Sequence, residues 1–102
     1  MAEITWTQEA LEDMKNIAAF ISKDSEKYAQ IEIDRLYKAT QILKTFPKTG
    51  RVVAETSKIN IREIIQGNYR IIYQTEIKER ISILTVHHSH RNLSNNPLFS
   101  EL

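Results

Sequence analysis

Ile61-Arg62-Glu63-Ile64-Ile65-Gln66-Gly67-Asn68-Tyr69-Arg70-Ile71-Ile72-Tyr73 is the stretch that decides the fold of this 102-residue chain. Two runs of β-branched and aromatic residues flank Gly67-Asn68, which is the signal of a two-residue hairpin. Glycine at the first corner accepts the positive φ that a type II′ turn requires. The turn fixes the register, with Ile65 opposite Arg70 and Glu63 opposite Ile72. Arg70 and Glu63 then become diagonal neighbours on one sheet face.

Working outward towards the C-terminus, Ile81 to Val86 reads as a further strand, reached through a longer connection around Ile77-Lys78-Glu79. That connection has room for a bulge. Without one, Arg70 and His88 are expected on opposite sheet faces; a single extra residue brings them to the same face. From Ser89 onward the chain is polar, and Asn96-Pro97 carries a helix-start signal.

Working outward towards the N-terminus, Val52-Val53 is a short β-rich run after Pro47-Lys48-Thr49-Gly50. Two amphipathic stretches precede it. Ala29, Ile33, Leu36, Ala39 and Leu43 share one helical face, widened by Ile42 and Phe46, and Pro47 ends that helix. Leu11, Met14, Ile17, Ala18 and Ile21 do the same for an earlier helix capped by Thr7, with Gln8 and Glu9 in its first turn. Ser22-Lys23-Asp24-Ser25 joins them, short enough to favour an antiparallel pair. Glu3 to Thr5 alternates briefly as a strand. The expectation is one α+β domain over residues 1–102, ordered β-α-α-β-β-β. An antiparallel sheet packs on an N-terminal helical hairpin, with one sheet face left free for function.

Composition agrees with a globular domain, at 41% hydrophobic and 26% charged residues. Cysteine is absent, which fits a reducing compartment. No signal-like start and no run of bilayer length are present, so a cytoplasmic protein is expected, with no membrane association. Net charge is +1, far from the cationic excess of proteins that live on phosphate backbones.

No phosphate-binding glycine loop, helical His pair or Gly-x-Ser-x-Gly appears. What stands out is a late cluster: Arg51, Arg62, Glu63, Tyr69, Arg70, Tyr73, His87, His88, His90 and Arg91. The histidines do not read as a metal site, since alternation separates His87 from His88 and no carboxylate or cysteine lies beside them in sequence. Tyr69 and Tyr73 fit sheet packing. Lys23, Lys27, Lys38, Lys44 and Lys48 fit a solvated helix surface. Arg70 with Glu63 also fits a simple cross-strand ion pair. Leu43 and Phe46 fit either core closure or an exposed partner seat.

The order Gly50-Arg51, Glu55, Ile61-Arg62-Glu63, Tyr69-Arg70-Ile71-Ile72-Tyr73 and Val86-x-His88-x-x-Arg91 resembles the RelE/ParE family of toxins. Trp6-Thr7 before the first helix, with Ala10 and Asp13 in it, fits as well. The resemblance implies the toxin of a type II toxin–antitoxin (plasmid stabilisation) pair, inhibited by a cognate antitoxin protein. It also implies two alternative targets. RelE-like members are ribosome-dependent mRNA endoribonucleases, and ParE-like members are associated with inhibition of DNA gyrase.

As a nuclease, the chain would use Arg62, Arg70, Glu55 and His88: Glu55 or His88 for proton transfer and the arginines for the phosphate, without metal or small-molecule cofactor. Arg51, Arg91 and His87 would contact target or partner. The near-neutral charge favours the non-nucleolytic, ParE-like alternative. A toxin fold reduced to an inactive binding module is the third possibility.

Overall fold

The computed structural model describes residues 1–89; His90, Arg91 and the Asn96-Pro97 helix signal lie outside them. Strand β1 (Glu3–Trp6) leads into helix α1 (Gln8–Ser22) and helix α2 (Glu26–Thr40). Strands β2 (Arg51–Val52), β3 (Ile61–Gln66), β4 (Tyr69–Glu76) and β5 (Arg80–His88) follow. They form one sheet in the order β1-β5-β4-β3-β2. The expected string gains a two-residue strand after the helices, and the sheet is antiparallel except for β1, which runs parallel to β5.

Local chemistry accounts for the helix boundaries. The Thr7 hydroxyl accepts from the Ala10 N–H, and Ser25 accepts from Tyr28, so each helix has a side-chain N-cap. Helix α2 stops being α-helical at Thr40, before the proline, and tightens into a 3₁₀ turn over Gln41–Lys44. Leu11 faces water at 44% exposure, and Ile42 and Phe46 are exposed too. Ala10, Leu36 and Leu43 are the fully buried ones, the two leucines each stabilising the fold by about 2 kcal/mol. Of the pair left open by sequence, Leu43 closes the core and Phe46 does not.

The Gly67 turn has the expected sign, φ +59°, and Ile65 pairs with Arg70 and Glu63 with Ile72. The last strand differs from both expectations. The Ile77–Glu79 turn already holds three residues between the paired Glu76 and Arg80, and a bulge lies deeper in β5, where Ile72 pairs with Thr85 but Tyr73 with Ile83. Leu84 is the extra residue. The bulge changes the facing of everything after it. Arg70 is opposite His87, Tyr69 is opposite His88, and Arg70 and His88 lie on opposite faces even with a bulge present.

The helix-side core contains Ala10, Leu36, Leu43, Ile71, Tyr73, Ile83 and Val86. The far face is not bare, as expected from sequence, but buries a smaller cluster of Val53, Ile61, Ile72 and Leu84. Beyond the end of β1, helix α1 takes over the outer edge of β5. Thr7 N–H and Oγ1 donate to the Ile83 and Leu84 carbonyls, and Asp13 Oδ2 accepts from Val86 N–H at 2.9 Å. A side chain thus pairs an edge amide that a strand would otherwise hold.

Candidate functional site

Four charged side chains meet on the far face of the sheet. Glu63 on β3 is only 3% exposed, and a buried carboxylate of this kind must be paired. Arg51 of β2, directly opposite it, donates from Nε to Oε1 at 2.6 Å. Arg70, its diagonal neighbour on β4, donates from Nε to Oε2 at 2.7 Å and from Nη2 as well. The remaining face of the Arg70 guanidinium is a fork onto Glu55, from Nη1 to Oε2 at 2.9 Å and from Nη2 to Oε1 at 3.1 Å.

Arg70 is therefore engaged by two carboxylates at once. Its guanidinium is held above its ordinary value chiefly by the Glu55 hydrogen bonds, with burial opposing and Glu63 reinforcing them. The two arginines and two glutamates sum to zero formal charge. An open pocket of about 440 Å³ lies over this quartet, with Val52 and Ile65 on its rim.

His87 occupies the same face beside Arg70 and is buried. Its Nε2 is 2.8 Å from Thr85 Oγ1, which donates to Asp13 Oδ2 at 2.6 Å. A carboxylate only accepts, so the threonine hydrogen is used there, and His87 Nε2 must carry the proton between it and Thr85. In sequence Asp13 reads as a helix residue that fits the family resemblance, with no partner indicated. The Thr85–Asp13 contact spans 72 positions, and no local spacing announces it.

Arg62 and His88 lie on the helix side. Arg62 donates from Nη1 to the Gly50 carbonyl at 2.8 Å, and the His88 ring sits edge-on to Tyr69 with centroids 5.7 Å apart. Of the four residues in the nuclease alternative, the structure thus brings Arg70 and Glu55 together, and the sheet separates both from Arg62 and His88. Among the partner-binding candidates, Arg51 and His87 share the far face. Arg91 lies outside the described residues. Among the described residues no group of three or more His, Cys, Asp or Glu is placed to hold a metal ion, and no helix is long and apolar enough to cross a membrane.

Tyr73 ties this face to the helix side. Its hydroxyl accepts from Gly50 N–H at 3.0 Å and donates to the Pro47 carbonyl at 2.8 Å. Gly50 has no space for a side chain, because a Cβ there would collide with the Glu63 carbonyl oxygen and lie 2.7 Å from the Tyr73 hydroxyl.

Comparison with known proteins agrees with this layout. The profile of the ParE toxins of type II toxin–antitoxin systems matches residues 4–93. A Sinorhizobium fredii protein provisionally named toxin Y4kP is 32% identical over 88 residues, covering 86% of this chain and 88% of the relative. Two solved structures share the fold. One is from the chromosomal ParDE system of P. aeruginosa (TM-score 0.69, 14% identity, 86% of this chain and 96% of the other). The second is from the RelBE2 toxin–antitoxin complex of Mycobacterium tuberculosis (TM-score 0.54, 15% identity, 85% and 96%). With the profile spanning nearly the whole length and this fold beneath it, the chain belongs to the ParE family of toxins of type II toxin–antitoxin systems.

Proposed function

We propose that this chain acts in the cytoplasm as the growth-inhibiting toxin of a two-protein pair. In this reading it binds a replication target, DNA gyrase, rather than cleaving mRNA, and a cognate antitoxin covers it until released. Membership of the ParE family supports the toxin role. The solved relatives come from toxin–antitoxin systems, which supports an antitoxin partner.

One observation carries the choice of a binding mechanism. Cleavage through the 2′-hydroxyl needs a base, a cation and an acid around one phosphate. Arg70 here is engaged by Glu55 and Glu63, and Arg62 and His88 face the helices. A neutral, pre-paired quartet suits a protein contact better than a polyanion.

The test is controlled expression with DNA and protein synthesis pulse-labelled separately, alongside supercoiling by purified gyrase. The expected outcome is that DNA synthesis stops first, gyrase loses supercoiling activity, and His88→Ala still kills. Protein synthesis failing first, with killing abolished by His88→Ala, would overturn the reading in favour of the nuclease.

A further inference from the structure

Helix α2 turns Ala29, Glu32, Leu36 and Thr40 inward. Three of these are ordinary core residues. Glu32 is 8% exposed, and its carboxylate accepts no hydrogen bond from any described residue. Its nearest cation among the described residues is Arg35, at 3.9 Å, beyond hydrogen-bond reach and with a side chain 57% exposed. No fully buried side-chain oxygen among the described residues lacks a partner, so the Glu32 carboxylate meets water at the pocket beside it, at a position where a leucine would add to the core.

The carboxylate borders a pocket of about 250 Å³ between α2 and the Gly67 turn, with Tyr28, Tyr69, Arg35 and Asn68 on its walls. Burial and the nearby Glu32 charge, with Tyr28, hold the Tyr69 phenol above its ordinary value, so it stays neutral. Tyr28, on the pocket wall, is half exposed.

We infer that this pocket receives an arginine side chain of the antitoxin, with Glu32 as its counter-charge. The inference rests on the toxin–antitoxin reading above. A single carboxylate supplies too few oxygens for a divalent cation, and it repels phosphate. Two phenol rings around it suit a planar guanidinium, which stacks on aromatic faces and forks onto a carboxylate. The volume suits one side chain. Ile21 and the exposed Tyr28 on its walls give the remainder of a protein surface something to cover, and Arg35 is exposed enough to swing away.

Two measurements test this. The first titrates the purified chain with N-acetyl-arginine methylamide, followed by the backbone amide signals of Gly67 and Asn68. Saturable shifts are expected, absent with the uncharged citrulline analogue and absent in Glu32→Gln. The second measures binding of the antitoxin encoded beside the toxin. Glu32→Gln is expected to weaken it about 30-fold, in the range for losing a desolvated charge partner, with Tm unchanged or raised and growth inhibition kept. Replacing the antitoxin's arginines singly by glutamine should then find one whose effect disappears in the Glu32→Gln background. Unchanged antitoxin affinity in Glu32→Gln overturns the inference, as does lost growth inhibition with antitoxin binding intact, which would give the pocket to the target. If the wild-type chain binds no antitoxin, the toxin–antitoxin reading falls separately, and the arginine titration alone decides whether the pocket takes a guanidinium.

Discussion

Arg51 and Arg70 grip the same carboxylate, but their side chains are 72% and 11% exposed, and that difference sets what each contributes. Arg51→Ala removes a screened surface contact and should cost under about 1 kcal/mol. Arg70→Ala strands a buried Glu63 and should cost about 3 kcal/mol or more; urea denaturation of the two variants checks the contrast. A loss of killing in Arg70→Ala would therefore report unfolding before it reported chemistry. Tyr73→Phe leaves Gly50 N–H and the Pro47 carbonyl without their shared partner and should cost about 1–3 kcal/mol.

The same phenol gives a pH dependence. Burial raises Tyr73, and Tyr69 as well, above the ordinary 10.0. A group raised on folding contributes fully below its unfolded value, and the contribution is lost as pH climbs towards the folded one. Stability is expected to fall above pH 10.0, and less steeply in Tyr73→Phe, in denaturation curves measured across the alkaline range.

At the level of elements, the two β turns contrast. Gly67 takes its positive φ freely, whereas Lys78 and Glu79 hold φ 60° and 54° with full side chains, a conformation that costs L-residues energy. Lys78→Asn with Glu79→Gly should raise stability by about 1 kcal/mol, read as an increase in the denaturant midpoint. Asp13→Ala, which frees the Val86 amide and Thr85 hydroxyl at the β5 edge, should cost about 1–3 kcal/mol in the same assay.

These elements also show what was legible. The Gly67 hairpin, its register and both helices followed from period and turn chemistry, because those signals are local. The facing of His87 and His88 did not, since Leu84 is one apolar residue among several and nothing in its neighbours marks it as a bulge. Glu63 beside Arg70 was foreseeable from the register, but Glu55 joins them from a loop, and Asp13 reaches β5 from a helix. Glu32 was readable and missed: an acid three residues after Ala29 and four before Leu36 falls on the apolar row.

Across the whole molecule, covered charge stands in two separate places. One is the paired quartet on the far face, the other the Glu32 pocket at the end of the helical hairpin. Target and antitoxin readings attach to different surfaces, so they should separate by mutation. Glu32→Gln is expected to keep growth inhibition while escaping neutralisation, scored by colony counts with and without the antitoxin.

Strand β1 pairs in parallel with β5, Glu3 with Arg80 and Trp6 with Ile83, and α1 is fastened to the same strand by a contact spanning 77 positions. Contacts of such separation are slow to form and cannot form early. On a translating ribosome the first strand emerges long before its partner exists, and the toxin surface stays unassembled until β5 has left the exit tunnel. The poison is thus harmless for most of its own synthesis, and the interval in which a waiting antitoxin must catch it opens only as β5 emerges.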